Sequence, residues 1–246
     1  MTYSLAPQFL KSFKDADIRG TYPDEINAGV AYAVARAFVE EFAYTKVVVG
    51  RDMRLSSPEL HTAFVAGVRE AGADVIDVGM VATPQLYFAS GSMNLPGVMI
   101  TASHSPAEYN GMKLVHPEAI PLTKRNGLAQ ILKRVKKGQW VTPNKKGKFT
   151  KKNIDAGYQK SVLAGIKPKR YEGIRLATDI GNGMAHDIVP LLAEKLPIKF
   201  DTIFARRDGH FPNRDSDPNL RENQLALDNK IDHGHYDFGI SFDGDA

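Results

Sequence analysis

The most constraining feature of this chain is a short apolar run that ends abruptly in a polar loop. Gly97-Val98-Met99-Ile100 leads directly into Thr101-Ala102-Ser103-His104-Ser105-Pro106. An apolar run without alternation predicts a strand buried on both faces, as in a parallel sheet. Ser103 and His104 are therefore expected just past the carboxyl end of a central strand, the edge where open α/β sheets bind ligands. A serine there suits a nucleophile or phosphoryl carrier; the alternative is an ordinary Ser-Pro turn beside a chance histidine.

The runs around this strand predict the fold class. Residues 46–50 and 74–78, rich in Val and Ile, are also predicted strands, and each is followed by a loop and a helical pattern; a second series begins with the run at 173–179. This alternation of strand and helix is typical of sheets covered by helices on both faces. We expect an α/β protein with two consecutive three-layer α/β/α domains, whose sheets are mixed and mostly parallel. The expected domains are 1–150 and 151–246, because residues 139–152 are rich in lysine, lack periodicity and indicate a linker or hairpin.

Composition excludes several classes of protein. The chain has no cysteine, no apolar run long enough to span a membrane and no basic-then-apolar start typical of a signal peptide. We expect a cytoplasmic enzyme with no membrane partner. Residues 133–170 hold 13 of the 32 basic residues and one acid, a net charge of +12, whereas the remainder carries −8. This uneven charge favours a solvated face and linker over nucleic-acid binding, with a polyanion contact as the alternative.

Cationic side chains near the predicted strand ends are candidate ligands for an anion. Arg51 and Arg54 follow the strand at 46–50, at the same sheet edge as Ser103, and Arg19 ends an early charged stretch. Guanidinium groups bind phosphates and carboxylates bidentately. The alternatives are salt bridges, of Arg51 or Arg54 with Asp52 and of Arg19 with Asp15 or Asp17.

Two further motifs complete the candidate site. Asn110-Gly111 predicts a turn that folds the next strand back towards the serine loop and brings Lys113 near Ser103, as a cation or a proton carrier. Near the other end of the chain, Asp243-Gly244-Asp245 follows an apolar run. Two closely spaced carboxylates suit a hard cation such as Mg²⁺, although the same three residues also form ordinary turns.

Taken together, these motifs resemble the α-D-phosphohexomutase family, whose members interconvert hexose 1- and 6-phosphates. The resemblance covers nearly the whole chain, in the family's order. It rests on 13–20, 50–54, 83–84, Thr101 to Pro106, Tyr109 to Lys113, 179–183, 212–213 and Asp243 to Ala246. The combination is far more specific than any one of the motifs. Tyr109-Asn110-Gly111 is closer to the phosphomannomutase/phosphoglucomutase branch, with phosphoglucosamine mutase as an alternative.

The resemblance implies roles for single residues. Ser103 would carry the phosphoryl group and exchange it with a sugar phosphate through a hexose 1,6-bisphosphate. Mg²⁺ would bridge it to Asp243, Asp245 and a further Asp, expected just after Ala246. His104, Lys113 and Arg19 would line the serine for charge stabilisation and proton transfer. We add Arg51, Arg54 and Asn110 as expected substrate or phosphate contacts. Ser105 stands where the family usually has Asn, a departure that bears on the geometry of this loop.

Length is the larger departure from the family. Its members have four domains and run to nearly twice this length, so we expect this chain to be an amino-terminal half that lacks the carboxyl-terminal domains and is inactive alone. A non-catalytic binding or assembly module with the same fold stays open, because fold does not fix function. A phosphatase that uses water as the acceptor is a second enzymatic alternative.

Overall fold

The computed structural model describes residues 7–246, which form two compact units. The first unit contains the chain up to Ala102 and resumes from Glu108 to Ile154. The second contains Ser103–Ala107 and Asp155–Ala246. The serine segment thus groups with the second unit rather than with the flanking residues of the first, which differs from the sequence-based division at residue 150. No helix within residues 7–246 has the length and apolar character needed to cross a membrane.

The first unit is built on a mixed sheet. Its strands are β1 (Ile18–Thr21), β2 (Lys46–Arg51), β3 (Asp74–Met80), β4 (Gly97–Ile100), β5 (Tyr109–His116), β6 (Ile120–Pro121) and β7 (Phe149–Lys151). Its helices are α1 (Ala28–Phe42), α2 (Ser57–Glu70), α3 (Thr83–Met93) and α4 (Ala129–Lys137). The strand order is β1-β5-β4-β2-β3-β7, with β6 beside β5. β4, β2, β3 and β7 run parallel, whereas β5 is antiparallel to all its neighbours.

Alternating strand residues pack on opposite faces of this sheet. Val47 and Val49 of β2 join the core formed with α1, α2 and α4, while Val48 between them packs with α3. The central strand β4 is buried at every residue, as its unbroken apolar run predicts. Helices therefore cover both faces, and this unit is a three-layer α/β/α domain.

Two local predictions for this unit are wrong. Asn110-Gly111 was expected to form a turn, but both residues lie inside β5, where Gly111 pairs with Arg19. A Cβ at Gly111 would lie 2.3 Å from the carbonyl oxygen of Ile18, so glycine is needed there for close strand approach. The predicted linker at 139–152 contains β7, which extends the sheet by pairing with β3.

The second unit has a smaller, fully parallel sheet. Its strands are β8 (Arg175–Asp179), β9 (Lys199–Ile203) and β10 (Phe238–Ser241), in the order β10-β8-β9. Its helices are α5 (Asp155–Leu163), α6 (Ala185–Ala193) and α7 (Arg221–Asp232). Ile180 and Val189 form a small core with Phe200 and Phe242. The predicted class, two consecutive α/β/α domains with mixed, mostly parallel sheets, is confirmed.

Candidate functional site

Ser103 and Asp243 form the centre of the candidate site, in the second unit. The Ser103 hydroxyl donates to Asp243 Oδ2 at 2.5 Å across 140 positions of sequence. Ser103 is only 8% exposed, and its φ of +54° lies in the left-handed region. Residues with a Cβ adopt this region rarely, and such strain concentrates at functional sites because the surroundings must enforce it. The structure therefore brings together two residues that the sequence analysis chose.

Two glycines permit this close approach. A Cβ at Gly244 would lie 2.7 Å from the carbonyl oxygen of Ser103, and a Cβ at Gly183 would lie 2.8 Å from that of Asp243. The amide of Met184 also donates to the carbonyl oxygen of Gly244 at 3.1 Å. The loop after β10 therefore meets the serine loop on one side and the loop after β8 on the other, with backbone against backbone, which only glycine allows at these positions.

Arg214 is a residue of the site that sequence reasoning missed. Its side chain is 4% exposed, and its Nε donates to Asp179 Oδ2 at 2.6 Å. Its terminal nitrogens donate to the carbonyl oxygens of Asp215 and Phe242, at 2.8 and 2.7 Å, and to the Ser241 hydroxyl at 3.0 Å. One guanidinium thus joins the end of β8, the loop at 211–217 and the end of β10. It fixes the backbone immediately before Asp243.

The donor set around Ser103 is made of oxygen atoms. Asp245, 3% exposed, lies two residues beyond Asp243. Hydroxyl and carboxylate oxygens are the ligands that Mg²⁺ prefers, so the chemistry of these residues fits the predicted ion. Among residues 7–246, His, Cys, Asp and Glu side chains form no group of three or more arranged to hold a metal. Whether Ser103, Asp243 and Asp245 hold a metal ion therefore stays a prediction.

The rest of the serine loop belongs to the same unit. His104 is exposed, and the carbonyl oxygen of Ser105 accepts from the buried Ser216 hydroxyl at 2.7 Å. Ser105 itself is 8% exposed. The loop is therefore anchored after His104 as well as at Ser103, with serine in place of the family's usual asparagine.

Arg19 and Lys113 lie in the first unit, on neighbouring strands. Arg19 of β1 pairs with Gly111 of β5, and Lys113 follows two positions later on the same face of that strand. The side chains that alternate with them, Ile18 and Met112, face the core. Arg19 Nε lies 3.5 Å from Asp17 Oδ2, so the salt bridge weighed as an alternative is present.

Arg54 and Asn110 were predicted to contact substrate, but the structure uses both internally. Arg54 is 1% exposed; its Nη1 donates to the Tyr109 carbonyl at 3.0 Å, and its Nε lies 3.4 Å from Asp52 Oδ2. Asn110, fully buried, donates from Nδ2 to the hydroxyls of Ser56 and Ser57 at 2.8 and 3.0 Å. Both side chains are therefore engaged inside the first unit, and their contact with a substrate stays a prediction.

Asp52 is the centre of that buried network. Burial raises the pKa of its carboxyl, although Arg54 and the hydroxyls of Ser57 and Thr101 favour the ionised form. The Ser57 hydroxyl donates to Asp52 Oδ1 at 2.5 Å. Through Thr101 and Tyr109, the network holds the first unit next to the points where the chain leaves it, after Ala102, and re-enters it, at Glu108.

Two other predicted cationic groups lie elsewhere in the first unit. Arg51, at the end of β2, donates to the Asp52 carbonyl at 3.1 Å and lines a cavity described below. In the basic segment, Arg134 pairs with Glu40 and Glu41, and Lys146 pairs with Glu70. Acids of the same unit therefore offset part of the charge of residues 133–170.

The fold and the site define an α/β/α protein with a strained serine held against a carboxylate. Two sequence models of known families match the chain. "Phosphoglucomutase/phosphomannomutase, alpha/beta/alpha domain I" matches residues 10–142, and domain II of the same family matches residues 156–246. The chain belongs to the phosphoglucomutase/phosphomannomutase family.

Known proteins agree with this assignment. The chain is 37% identical over 237 residues to "Phosphohexose mutases" of Xanthomonas campestris, with 96% of this chain and 53% of that protein covered. It is 33% identical over 244 residues to the phosphomannomutase of Escherichia coli K12, with 96% and 54% covered. A phosphoglucomutase/phosphomannomutase family protein of Burkholderia thailandensis superposes with a TM-score of 0.87 at 34% identity, over 98% of this chain and 54% of that structure. The chain spans about half the length of these relatives.

Proposed function

We propose that this chain carries the phosphoryl-transfer serine of a hexose phosphomutase that interconverts the 1- and 6-phosphates of mannose or glucose. The hydrogen bond from Ser103 to Asp243 Oδ2 is the observation that supports this proposal most directly. It gives a buried hydroxyl an acceptor for its proton, as a nucleophile needs. The names of the relatives, phosphomannomutase and phosphohexose mutases, support the class of substrate.

The proposed cycle has two phosphoryl transfers at Ser103. In the first, the Oγ–P bond of phosphoserine breaks and a hydroxyl of the sugar monophosphate takes the phosphoryl group, which gives a hexose 1,6-bisphosphate. In the second, the other phosphate ester of that intermediate breaks and its phosphoryl group joins Ser103 Oγ. As this bond forms, the serine proton passes to Asp243 Oδ2, to which the hydroxyl already donates, and the freed sugar oxygen takes up a proton. In the first transfer the protons move the other way: the sugar hydroxyl gives up its proton, and Ser103 Oγ takes one back from Asp243.

The remaining groups stabilise charge in this scheme. Mg²⁺, held by Ser103 Oγ, Asp243 and Asp245, would offset the negative charge of the transferred phosphoryl oxygens. By the family resemblance, Arg19, Lys113 and His104 serve charge stabilisation and proton transfer. The exposure of His104 is consistent with this role, because a group that meets substrate must be accessible.

Labelling from a bisphosphate tests the proposal. The protein is incubated with glucose 1,6-bisphosphate and Mg²⁺, and the phosphorylated residue is identified by peptide mass spectrometry. Label on Ser103 is expected, with Ser103→Ala unlabelled and Ser105→Ala, a serine two residues away in the same loop, still labelled. Equal labelling of Ser103→Ala and wild type would refute the carrier role. Release of inorganic phosphate at the same rate in both would instead support a phosphatase that uses water.

We also propose that the 246 residues alone catalyse little net isomerisation. They correspond to about half the length of the relatives, so further substrate contacts are expected outside the matched part. A coupled assay for hexose 6-phosphate formed from the 1-phosphate is expected to show no appreciable turnover by this chain. Robust turnover would contradict this expectation, while leaving the role of Ser103 to be judged by the labelling.

A further inference from the structure

A cavity of about 630 Å³ lies in the first unit, at the carboxyl ends of three parallel strands. β2 ends at Arg51, β3 ends beside Gly79, and β7 ends at Lys151. This is the edge of a parallel sheet at which α/β proteins bind ligands, and the volume falls in the range of small-molecule sites. Of its lining residues, only Arg51 is among those predicted from the sequence to contact substrate.

Positive charge dominates the lining. Arg51, Lys151 and Lys152 contribute three cations, and Asp77 contributes one carboxylate. That carboxylate is already engaged, because its Oδ1 lies 3.0 Å from His61 Nε2 and accepts from the amide of Gly79 at 3.0 Å. The cations therefore face a cavity whose single acid is held by neighbouring groups, an environment that attracts anions.

The electrostatics of Asp77 agree with this arrangement. Burial alone would raise the pKa of the carboxyl, but the hydrogen bonds from His61 and Gly79, with the nearby Lys151, lower it overall. Asp77 thus remains ionised and orients the His61 ring at the cavity wall. Because Asp77 and His61 hold each other, the guanidinium of Arg51 and the ammonium of Lys152 are the charged groups of the lining that can adjust to a ligand.

The backbone of Gly79 and the ring of Phe149 form part of the cavity wall. Gly79 has a φ of +80°, and no heavy atom lies within 4 Å of the point where a Cβ would sit, so its backbone is open. Phe149, 39% exposed, supplies an apolar wall from β7. Arg51 and Lys151 end strands that are separated only by β3, about 10 Å in all, which two long side chains can span.

We propose that this cavity is a binding site for a phosphorylated small molecule. Its phosphate lies between Arg51 and the two lysines, where guanidinium and ammonium groups donate charge-assisted hydrogen bonds, and its less polar part lies against Phe149. The site is independent of the function proposed for Ser103. A ligand here would be bound rather than transformed, since the cavity offers no nucleophile paired with a base.

Nuclear magnetic resonance tests the proposal directly. Inorganic pyrophosphate is titrated into the ¹⁵N-labelled chain, and the amide signals of Gly79 and Lys152 are followed. We expect saturable shifts of both signals in wild type and in Ser103→Ala. The double variant Lys151→Gln/Lys152→Gln is expected to weaken binding by at least about tenfold, because it removes two charged donors.

Lys148→Gln is the matched control. Lys148 is an exposed lysine just before β7 and does not line the cavity, so its loss changes the net charge without changing the site. We expect its affinity for pyrophosphate to stay within about twofold of wild type. The proposal is overturned if the signal of Gly79 does not shift saturably in wild type, or if Lys148→Gln weakens binding as much as the double variant does.

Discussion

Replacing Arg214 by methionine removes the guanidinium that joins three loops of the second unit while keeping an unbranched side chain of comparable length. Asp179, which is fully buried, then loses its ion-pair partner at 2.6 Å. The carbonyl oxygens of Asp215 and Phe242 lose donors at 2.8 and 2.7 Å. The Asp179 carboxylate keeps only the Gly181 amide, at 2.8 Å, and the Ser241 hydroxyl, at 3.1 Å.

The charge that Asp179 keeps in the interior without its partner determines how much stability is lost. Removing one partner of a buried ion pair costs about 3–5 kcal/mol, mainly because the other charge stays buried without compensation. The bonds to the two carbonyl oxygens and to Ser241 are part of the same loss and are not added separately. We therefore expect Arg214→Met to lower the opening free energy of the second unit by about 3–5 kcal/mol, a large part of the stability of an ordinary domain.

Hydrogen exchange measured by mass spectrometry resolves this loss by region. Peptides that contain β8, β10 and the loop at 211–217 are expected to exchange far faster in Arg214→Met. Trp140, the only tryptophan of the chain, lies in the first unit, so its fluorescence reports that unit during urea unfolding. We expect the fluorescence midpoint to stay unchanged.

Two further variants test whether the buried charge of Asp179 is the cause of the expected loss of stability. Arg221 pairs with Asp228, but its side chain is 69% exposed, so Arg221→Ala is expected to cost less than about 1 kcal/mol. Combining Asp179→Asn with Arg214→Met removes the stranded charge and is expected to be milder than Arg214→Met alone. The reasoning is refuted if Arg214→Met costs no more than Arg221→Ala, or if Asp179→Asn brings no relief.

Three more predictions concern the first unit. Gly111→Ala is expected to destabilise it by about 1–3 kcal/mol, because the new Cβ would lie 2.3 Å from the Ile18 carbonyl oxygen. Gly91→Ala, in α3 with nothing within 4 Å of the new Cβ, is expected to stabilise it by about 0.5–1 kcal/mol; urea midpoints from tryptophan fluorescence compare the two. The pKa of Asp77 is lowered in the folded protein, so its carboxylate contributes stability that is present above the ordinary pKa of 3.8 and is lost as the pH falls through the lowered pKa. Asp77→Asn is therefore expected to flatten this part of the acid unfolding curve. An acid unfolding curve that is the same in Asp77→Asn and wild type would contradict this prediction.

The hydrophobic pattern of the sequence predicts the strands that have long, unbroken apolar runs. The run Gly97–Ile100 predicts a strand buried on both faces, and β4 has those bounds and that burial. Segments with a weak pattern, or with two competing preferences, were predicted wrongly for physical reasons. Asn110-Gly111 has strong turn propensity, but pairing with Gly20 and Arg19 of β1 places it in a strand, and tertiary pairing outweighs local preference. β7 is a three-residue strand at the edge of the sheet, too short for any periodicity to show.

The candidate site was predictable as a set of motifs but not as a set of contacts. Ser103 and Asp243 were chosen from loops after predicted strands, yet periodicity alone cannot pair residues 140 positions apart. The structural role of Arg214 could not be predicted, because a buried arginine in a polar loop has the same sequence pattern as an exposed one. The internal contacts of Arg54 and Asn110 were equally beyond prediction, since residue types that suit a phosphate also suit a buried network.

The most direct test of the account is the phosphorylation state of the protein from its natural source. The intact mass is recorded first and compared with 27.1 kDa, and the phosphopeptides are then mapped. The account predicts one phosphoryl group, located on Ser103. A protein whose Ser103 is unmodified after isolation and also after incubation with a hexose 1,6-bisphosphate would contradict the central claim, and a binding module that shares the family's fold would then explain the chain better.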